Sequence, residues 1–299
     1  MIEVKGLYKG YGGKEEYVVK DVNIHVEAGT IHGLIGHNGS GKTTIIKCLT
    51  GIYQPDKGEV KIGGGVIFDN PKVKDKVGYV ADSNQMFSTY RVKQLVKFYE
   101  RIFPDFSKEE FQRLNNVFKV SENKRISQLS KGQQMRVSFM LNMARKPEVL
   151  ILDEPTSGLD AMAKKDLLDI LVETVEERGM TVLISSHHLS ELEKICDSIT
   201  MIEEGKVRIE DELDEVRNQV SKYQVVFKDG APEEVLQRED IIHVSHVGSV
   251  YTMVLSKDVE NFVQEMLDAG ALMAEQMQVG LEESFVYMNR EKNGGGADE

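Results

Sequence analysis

Apolar and polar positions change period several times along the chain, and each change marks a different kind of element. Val22, Ile24 and Val26 alternate with Asn23, His25 and Glu27, the period-two pattern of a half-buried strand. Residues 1–30 therefore read as antiparallel strands joined by turns, one of them at Gly12-Gly13. A short apolar run over 31–35, broken by His32 and Gly33, leads into a glycine-rich loop. A helix carrying Ile45, Ile46 and Leu49 follows, closed by Gly51 and Pro55. Gly63-Gly64-Gly65 marks a further loop. Over 87–119, Leu95, Phe98, Tyr99 and Ile102 recur at helical spacing, Pro104 interrupts, and Ser107 with Glu110 predicts a capping box. Ser130 with Gln133 predicts another, opening a helix with Met135, Phe139 and Met143 on one face. Strands return at 149–152 and 181–185 with a helix over 164–177 between them. That order predicts a parallel sheet with crossover helices.

The pattern shifts again near 216–222. Tyr223, Val225 and Phe227 alternate, 232–238 reads as a short helix, and 241–244 and 251–255 flank a turn at Gly248. Val259, Phe262, Met266 and Leu267 mark a helix over 258–269. The expected organisation is one domain over 1–217 with a helical insertion over about 87–145, then a small α+β domain over 218–290, ferredoxin-like in pattern. The tail over 291–299 reads as disordered.

Composition narrows the function. The formal net charge is −12, which argues against a sequence-independent grip on nucleic acid, since that needs clustered cations. No apolar run approaches bilayer-spanning length, and Met1-Ile2-Glu3 lacks the basic and apolar stretches of a secretory signal. Cys48 and Cys196 form neither a disulfide framework nor a metal-ligand spacing and read as reduced thiols.

Candidate chemistry gathers in three places. Gly36-His37-Asn38-Gly39-Ser40-Gly41-Lys42-Thr43, followed by Thr44, fits G-x-x-x-x-G-K-[ST] between a predicted strand and a predicted helix. In such a loop backbone N–H groups curl around phosphate oxygens, the helix start adds its dipole, the lysine is a point charge for the β- and γ-phosphates, and the hydroxyl of Thr43 can ligand Mg²⁺. The apolar run 149–152 ends in Asp153 and Glu154. The first carboxylate sits where Mg²⁺ would lie beside such a loop, and the second can take a proton from an attacking water. Ser130, in Leu129-Ser-Lys-Gly-Gln-Gln134, stands at a helix start, a natural phosphate-facing end.

These motifs, with Ser157-Gly-Leu-Asp160 and Ser186-His187, fall in the order and spacing of ABC-type ATPases. Over about residues 1–215 the chain resembles the ATP-binding subunit of an ABC transporter. The resemblance implies a P-loop α/β fold with an antiparallel β subdomain and a helical subdomain. Its cofactors would be ATP and Mg²⁺, with Asp153 on the metal and Glu154 as base. It also implies that Tyr11 stacks on adenine, that His187 contacts the γ-phosphate, and that Asp160 lies on the loop crossing a dimer interface. Ser130 and Gly132 would approach the γ-phosphate bound by a second ATP-binding subunit, identical or different. The implied partner is an integral membrane permease, with the chain cytoplasmic and peripheral at the inner face of the cell membrane.

The sequence departs from the family pattern twice. The signature usually reads Leu-Ser-Gly-Gly-Gln, and Lys131 stands at its first glycine. The glutamine expected after Gly78-Tyr79-Val80 falls on Asp82, with Gln85 three residues on, and either is a candidate for the metal or the lytic water. Both features also occur in ATPases serving small multi-spanning permeases, often exporters, so export is the expected direction. The rival readings are a soluble ABC-type ATPase and a nucleotide-sensing regulator not coupled to transport. Retention of both Asp153 and Glu154 argues against a regulator without turnover.

Overall fold

The computed structural model describes residues 1–12, 16–82, 88–256, 259, 261–284 and 287, without the side chain of Arg217. Contacts divide the chain into two compact units, Met1–His188 with Lys194–Glu210, and Leu189–Glu193 with the chain from Asp211 onward.

In the first unit the strands and helices run β1 Ile2–Gly10, β2 Tyr17–Val26, β3 Ile31–Ile35, α1 Lys42–Leu49, β4 Lys57–Ile62, β5 Gly65–Val66, α2 Pro71–Lys74 and β6 Val77–Val80. They continue with α3 Val92–Ile102, α4 Lys108–Phe118, α5 Lys131–Met143, β7 Val149–Asp153, α6 Ala161–Arg178, β8 Thr181–Ser186, β9 Ser198–Glu203 and β10 Lys206–Glu212. One sheet has the order β2-β1-β4-β5, with antiparallel neighbours. The other has the order β10-β9-β3-β8-β7-β6, and the pairs from β9 to β6 are parallel. Helix α1 touches β2, β4 and β7, so Ile45, Ile46 and Leu49 join a core that also holds Leu7 and Val22 from the first sheet and Val149 and Ile151 from the second.

Strands β7 and β8 are buried along their whole length, as expected of strands covered on both faces. Strand β3 is too, which corrects the reading of His32 as a break. His32 is 1% exposed, with Nδ1 2.7 Å from Ser198 Oγ and Nε2 2.8 Å from Thr200 Oγ1. Two hydroxyls on the neighbouring strand meet both ring nitrogens, so a polar ring fits an apolar strand.

Among the described residues the insertion holds the α-helices α3, α4 and α5 and a 3-10 turn at Ile126–Gln128, with α5 against β6. Ile102 is 50% exposed, so the apolar face of α3 ends at Tyr99. Helix α5 buries Met135, Phe139 and Met143, but also Val137, Ser138, Leu141 and Asn142 on other faces. The Ser130–Gln133 box is complete: Gln133 N–H donates to Ser130 Oγ at 3.2 Å and Ser130 N–H to Gln133 Oε1 at 3.2 Å. At α4 only half the expected box is made. Glu110 N–H donates to Ser107 Oγ at 3.1 Å, but Ser107 N–H donates to Ala144 O, and the Glu110 carboxylate pairs with Arg113 and Arg178. Two guanidiniums outcompete one amide for a carboxylate.

The second unit holds β11 Ser221–Val226, β12 Ile241–Val247, β13 Val250–Leu255 and β14 Met273–Met277, with helices at Glu233–Leu236 and Phe262–Asp268. The sheet order β12-β13-β11-β14 is antiparallel throughout, with one helix after β11 and one after β13. This is the ferredoxin-like β-α-β-β-α-β arrangement. Tyr223, Val225, Phe227, Met253, Phe262 and Met266 fill its core. Leu267, read as apolar-facing, is exposed.

Candidate active site

The site forms at the C-terminal ends of β3, β7 and β8, where open parallel sheets bind ligands. Strand β3 delivers the 36–41 loop. Gly41 caps α1 with φ 111°, a conformation that favours glycine, and from there Lys42 and Thr43 open the helix. Lys42 is 6% exposed. Its Nζ donates to Gly36 O at 2.5 Å and His37 O at 3.3 Å, and lies 3.4 Å from Glu154 Oε1. A buried ammonium thus sits in the curl of the loop, between carbonyls and the acidic strand end. Ser40 and Thr44 are buried, and His37, Asn38 and Gly39 are exposed on the loop.

Strand β7 delivers Asp153, 2% exposed. Thr43 Oγ1 donates to its Oδ1 at 3.4 Å, and Ser185 Oγ donates to the same oxygen at 2.9 Å. Burial pushes the Asp153 carboxyl above its usual range, the Ser185 and Thr43 hydroxyls pull it back, and the charges of Glu154 and Asp82 raise it further. Glu154 follows with φ 49°, the left-handed region that costs a side chain about 1–3 kcal/mol. Its N–H donates to Ser185 Oγ at 3.0 Å, which holds the turn. Its Oε2 lies 2.7 Å from His187 Nδ1, and its Oε1 is buried without a hydrogen bond. Ser185 therefore holds the Asp153 carboxylate and the Glu154 backbone together, and sequence reasoning missed it. The available signal was a serine pair ending an otherwise apolar strand.

The remaining candidates fall in two groups. Tyr11 is 59% exposed, with its hydroxyl 2.7 Å from Thr44 Oγ1 and its ring edge-on to Tyr53. The other group surrounds the start of α5. Gly132 lies so close to the 157–160 loop that a Cβ there would stand 2.7 Å from Gly158 O. Asp160 accepts from Ala163 N–H at 2.9 Å, capping α6, and pairs with Arg136 at 2.6 Å. Lys131 Nζ donates to Asp82 Oδ1 at 2.8 Å. The ring of His188 lies 4.0 Å from that of His187. Gln85 lies outside the described residues.

A hydroxyl and a carboxylate side by side, a buried ammonium in a loop of amides and a carboxylate beside an imidazole are groups of the kind that can hold a nucleoside triphosphate and activate water. The family described as ABC transporter matches residues 19–157. ABC transporter ATP-binding protein YtrB of Bacillus subtilis (strain 168) is 33% identical over 286 residues, 96% of this chain and 97% of that protein. The chain belongs to the ATP-binding subunits of ABC transporters. It is an ATPase, and ATP is its nucleotide. Bacitracin transport ATP-binding protein BcrA of Bacillus licheniformis is 30% identical, over 75% of this chain and 73% of its own. Methionine import ATP-binding protein MetN of Protochlamydia amoebophila (strain UWE25) is 31% identical, over 72% and 67%. A solved dimer of the ATP-binding cassette MJ0796, in a post-hydrolysis state with ADP and phosphate, superposes with a TM-score of 0.63 at 26% identity, covering 71% of this chain and 99% of that one. The match to YtrB extends through both units. No described helix is long and apolar enough to cross a membrane.

Proposed function

We propose that this ABC subunit hydrolyses ATP at the junction of the 36–44 loop with the ends of β7 and β8, and that ATP closes two such subunits on each other to drive a membrane permease. The observation that carries this reading is the meeting of Thr43 with Asp153 across 110 residues of chain, beside that of Lys42 with Glu154. The amides of 36–44 and Lys42 take the β- and γ-phosphates, and Tyr11 offers its exposed ring to adenine. Thr43 Oγ1 and the Asp153 carboxylate are two hard oxygens, which suits Mg²⁺, a cation that takes few protein ligands and leaves the rest to phosphate and water. When bound, Mg²⁺ neutralises charge on the β- and γ-phosphate oxygens. Glu154 accepts the proton of the attacking water, and His187, against its Oε2, orients that carboxylate beside the γ-phosphate.

Ser130, Gly132 and Asp160 complete the site bound by a second copy or a related subunit. The dimeric cassette MJ0796 supports that arrangement. The permease partner, and with it a place at the inner face of the membrane, is supported by the transport names of YtrB, BcrA and MetN. We assign export as the direction from Lys131 in the signature and an acidic residue at 82.

Glu154→Gln tests the core of the proposal. The substitution keeps shape and hydrogen bonding but removes the base, so phosphate release should fall about 10²–10⁴-fold. ATP binding should persist, and light scattering should show dimers that appear with ATP-Mg²⁺. Full turnover would remove Glu154 as base. Slow turnover in a protein that stays monomeric would remove the closed dimer. Co-purification of a membrane protein from detergent-solubilised membranes tests the permease partner.

A further inference from the structure

Asp82 and Lys131 touch each other. Lys131 Nζ donates to Asp82 Oδ1 at 2.8 Å and lies 3.5 Å from Ser157 Oγ. One ammonium therefore joins three segments: the loop leaving β6, the start of α5 and the loop leaving β7.

Local physics gives the contact a reason. Lys131 is the first residue of α5, and the first turn of that helix has no acidic residue. A cation at a helix N-terminus opposes the helix dipole, so Lys131 is ill placed for its own helix. A carboxylate arriving from another segment offsets that, and Asp82 is the carboxylate that arrives. Behind Lys131 the helix start is held firmly. Gly132 abuts Gly158 O, and Arg136 pairs with Asp160 at 2.6 Å. A displacement of Asp82 would thus be passed to Ser130–Gly132 and to the 157–160 loop together rather than absorbed by one side chain. On its other side, Asp82 leaves the end of β6, where Val80 pairs in register with Leu152, the residue before Asp153.

We propose that Lys131 is a positioning residue for ATP hydrolysis: by holding Asp82, it couples the edge of this chain's own nucleotide site to the Ser130–Gly132 turn that serves the partner's site. The inference rests on the closed-dimer reading above for the second half of that statement, while the tie itself lies within one chain.

The test is a double-mutant cycle on the full chain, with Asp82→Asn, Lys131→Gln and both together, and the charge reversal Asp82→Lys with Lys131→Asp. Two quantities are read: amide exchange across residues 129–136 in nucleotide-free protein, and kcat at saturating ATP-Mg²⁺. Each single substitution should speed exchange and lower kcat roughly 1.5- to 5-fold, the scale of a partly exposed ion pair. The double variant should be no worse than the worse single one, and the reversal should recover most of the loss. In about 1 M salt the coupling should shrink, since the Debye length falls to about 3 Å. Additive effects in either readout would overturn the proposal. So would coupled exchange with kcat unmoved, which would leave Lys131 a purely structural tie. A loss in Asp82→Asn far exceeding that in Lys131→Gln, without recovery on reversal, would overturn it in favour of Asp82 acting on the metal directly. If exchange couples but Glu154→Gln never dimerises with ATP, the closed-dimer reading fails and the partner half of the proposal falls with it.

Discussion

The two units spend buried polar groups in opposite ways. Among the described residues, Lys42, Glu110 and Asp153 are buried charged side chains, and all lie in the first unit, as does buried His32. In the second unit the buried polar side chains are Ser221 and Ser284, and its ion pairs Arg238–Asp240, Arg238–Glu265 and Lys222–Glu283 stay partly exposed. The first unit carries Lys42, Asp153 and Glu154 at low exposure with few protein hydrogen bonds, and it holds Glu154 in a strained backbone conformation. Such features cost stability unless a ligand or substrate meets them. The second unit has alternating apolar strands and a closed apolar core. Among the described residues, the buried charged groups of the proposed nucleotide site all lie in the first unit.

Four measurements would break or sharpen that contrast. Phe262 is 1% exposed, with its ring 4.4 Å from that of Tyr223. Phe262→Ala should destabilise the second unit by about 3–5 kcal/mol in chemical denaturation. ATP affinity should not change, and a parallel fall would show that the second unit shapes the site. Lys42→Ala should weaken ATP by about 10²-fold or more in a fluorescence titration, because it removes the buried charge nearest the phosphates. Wild-type affinity would place the phosphates elsewhere.

A third measurement uses pH. Burial holds the His32 imidazole at about 4, below the usual 6.5. Between those values the unfolded chain binds a proton that the folded chain refuses, so stability falls as pH is lowered through that window. The slope from this one group is at most about 1.4 kcal/mol per pH unit. The difference in unfolding free energy between wild type and His32→Gln, followed from pH 7 to pH 4, should narrow on acidification. A constant difference would mean that the ring takes up its proton as readily in the fold as in the unfolded chain. The smallest effect is expected at Tyr11. Tyr11→Ala should raise KM for ATP and GTP alike by up to about 10-fold with little change in kcat, because stacking is uniform binding. An unchanged KM would leave Tyr11 to its contacts with Thr44 and Tyr53.

Much of this is legible in the sequence. The strand-loop-helix at 31–49, the acidic end of β7 and the Ser130–Gln133 box each follow from local rules: glycine where N–H groups must converge, an apolar run for a strand covered on both faces, a hydroxyl where a helix begins. In the second unit β11 to β13 and both helices also followed from period and turn residues, whereas β14, with Ala274 its one buried residue, did not. At His32 and Glu110 a distant partner overrode the local pattern. His32 sits in an apolar strand because Ser198 and Thr200 lie on its neighbour, and Glu110 left its capping box because Arg178 reached it from α6.

The sequence by itself therefore determined the elements and the chemical kinds of group at their ends, because those depend on residues within a turn or two of one another. Only the tertiary structure decided which groups share an atom. That one Ser185 hydroxyl serves both Asp153 and Glu154, and that Lys131 spends its charge on Asp82 across 49 residues, depends on how parallel strands and their crossover loops come to rest. Hydrogen bonds and ion pairs act over a few ångströms of space, not of sequence, and no local pattern encodes that distance.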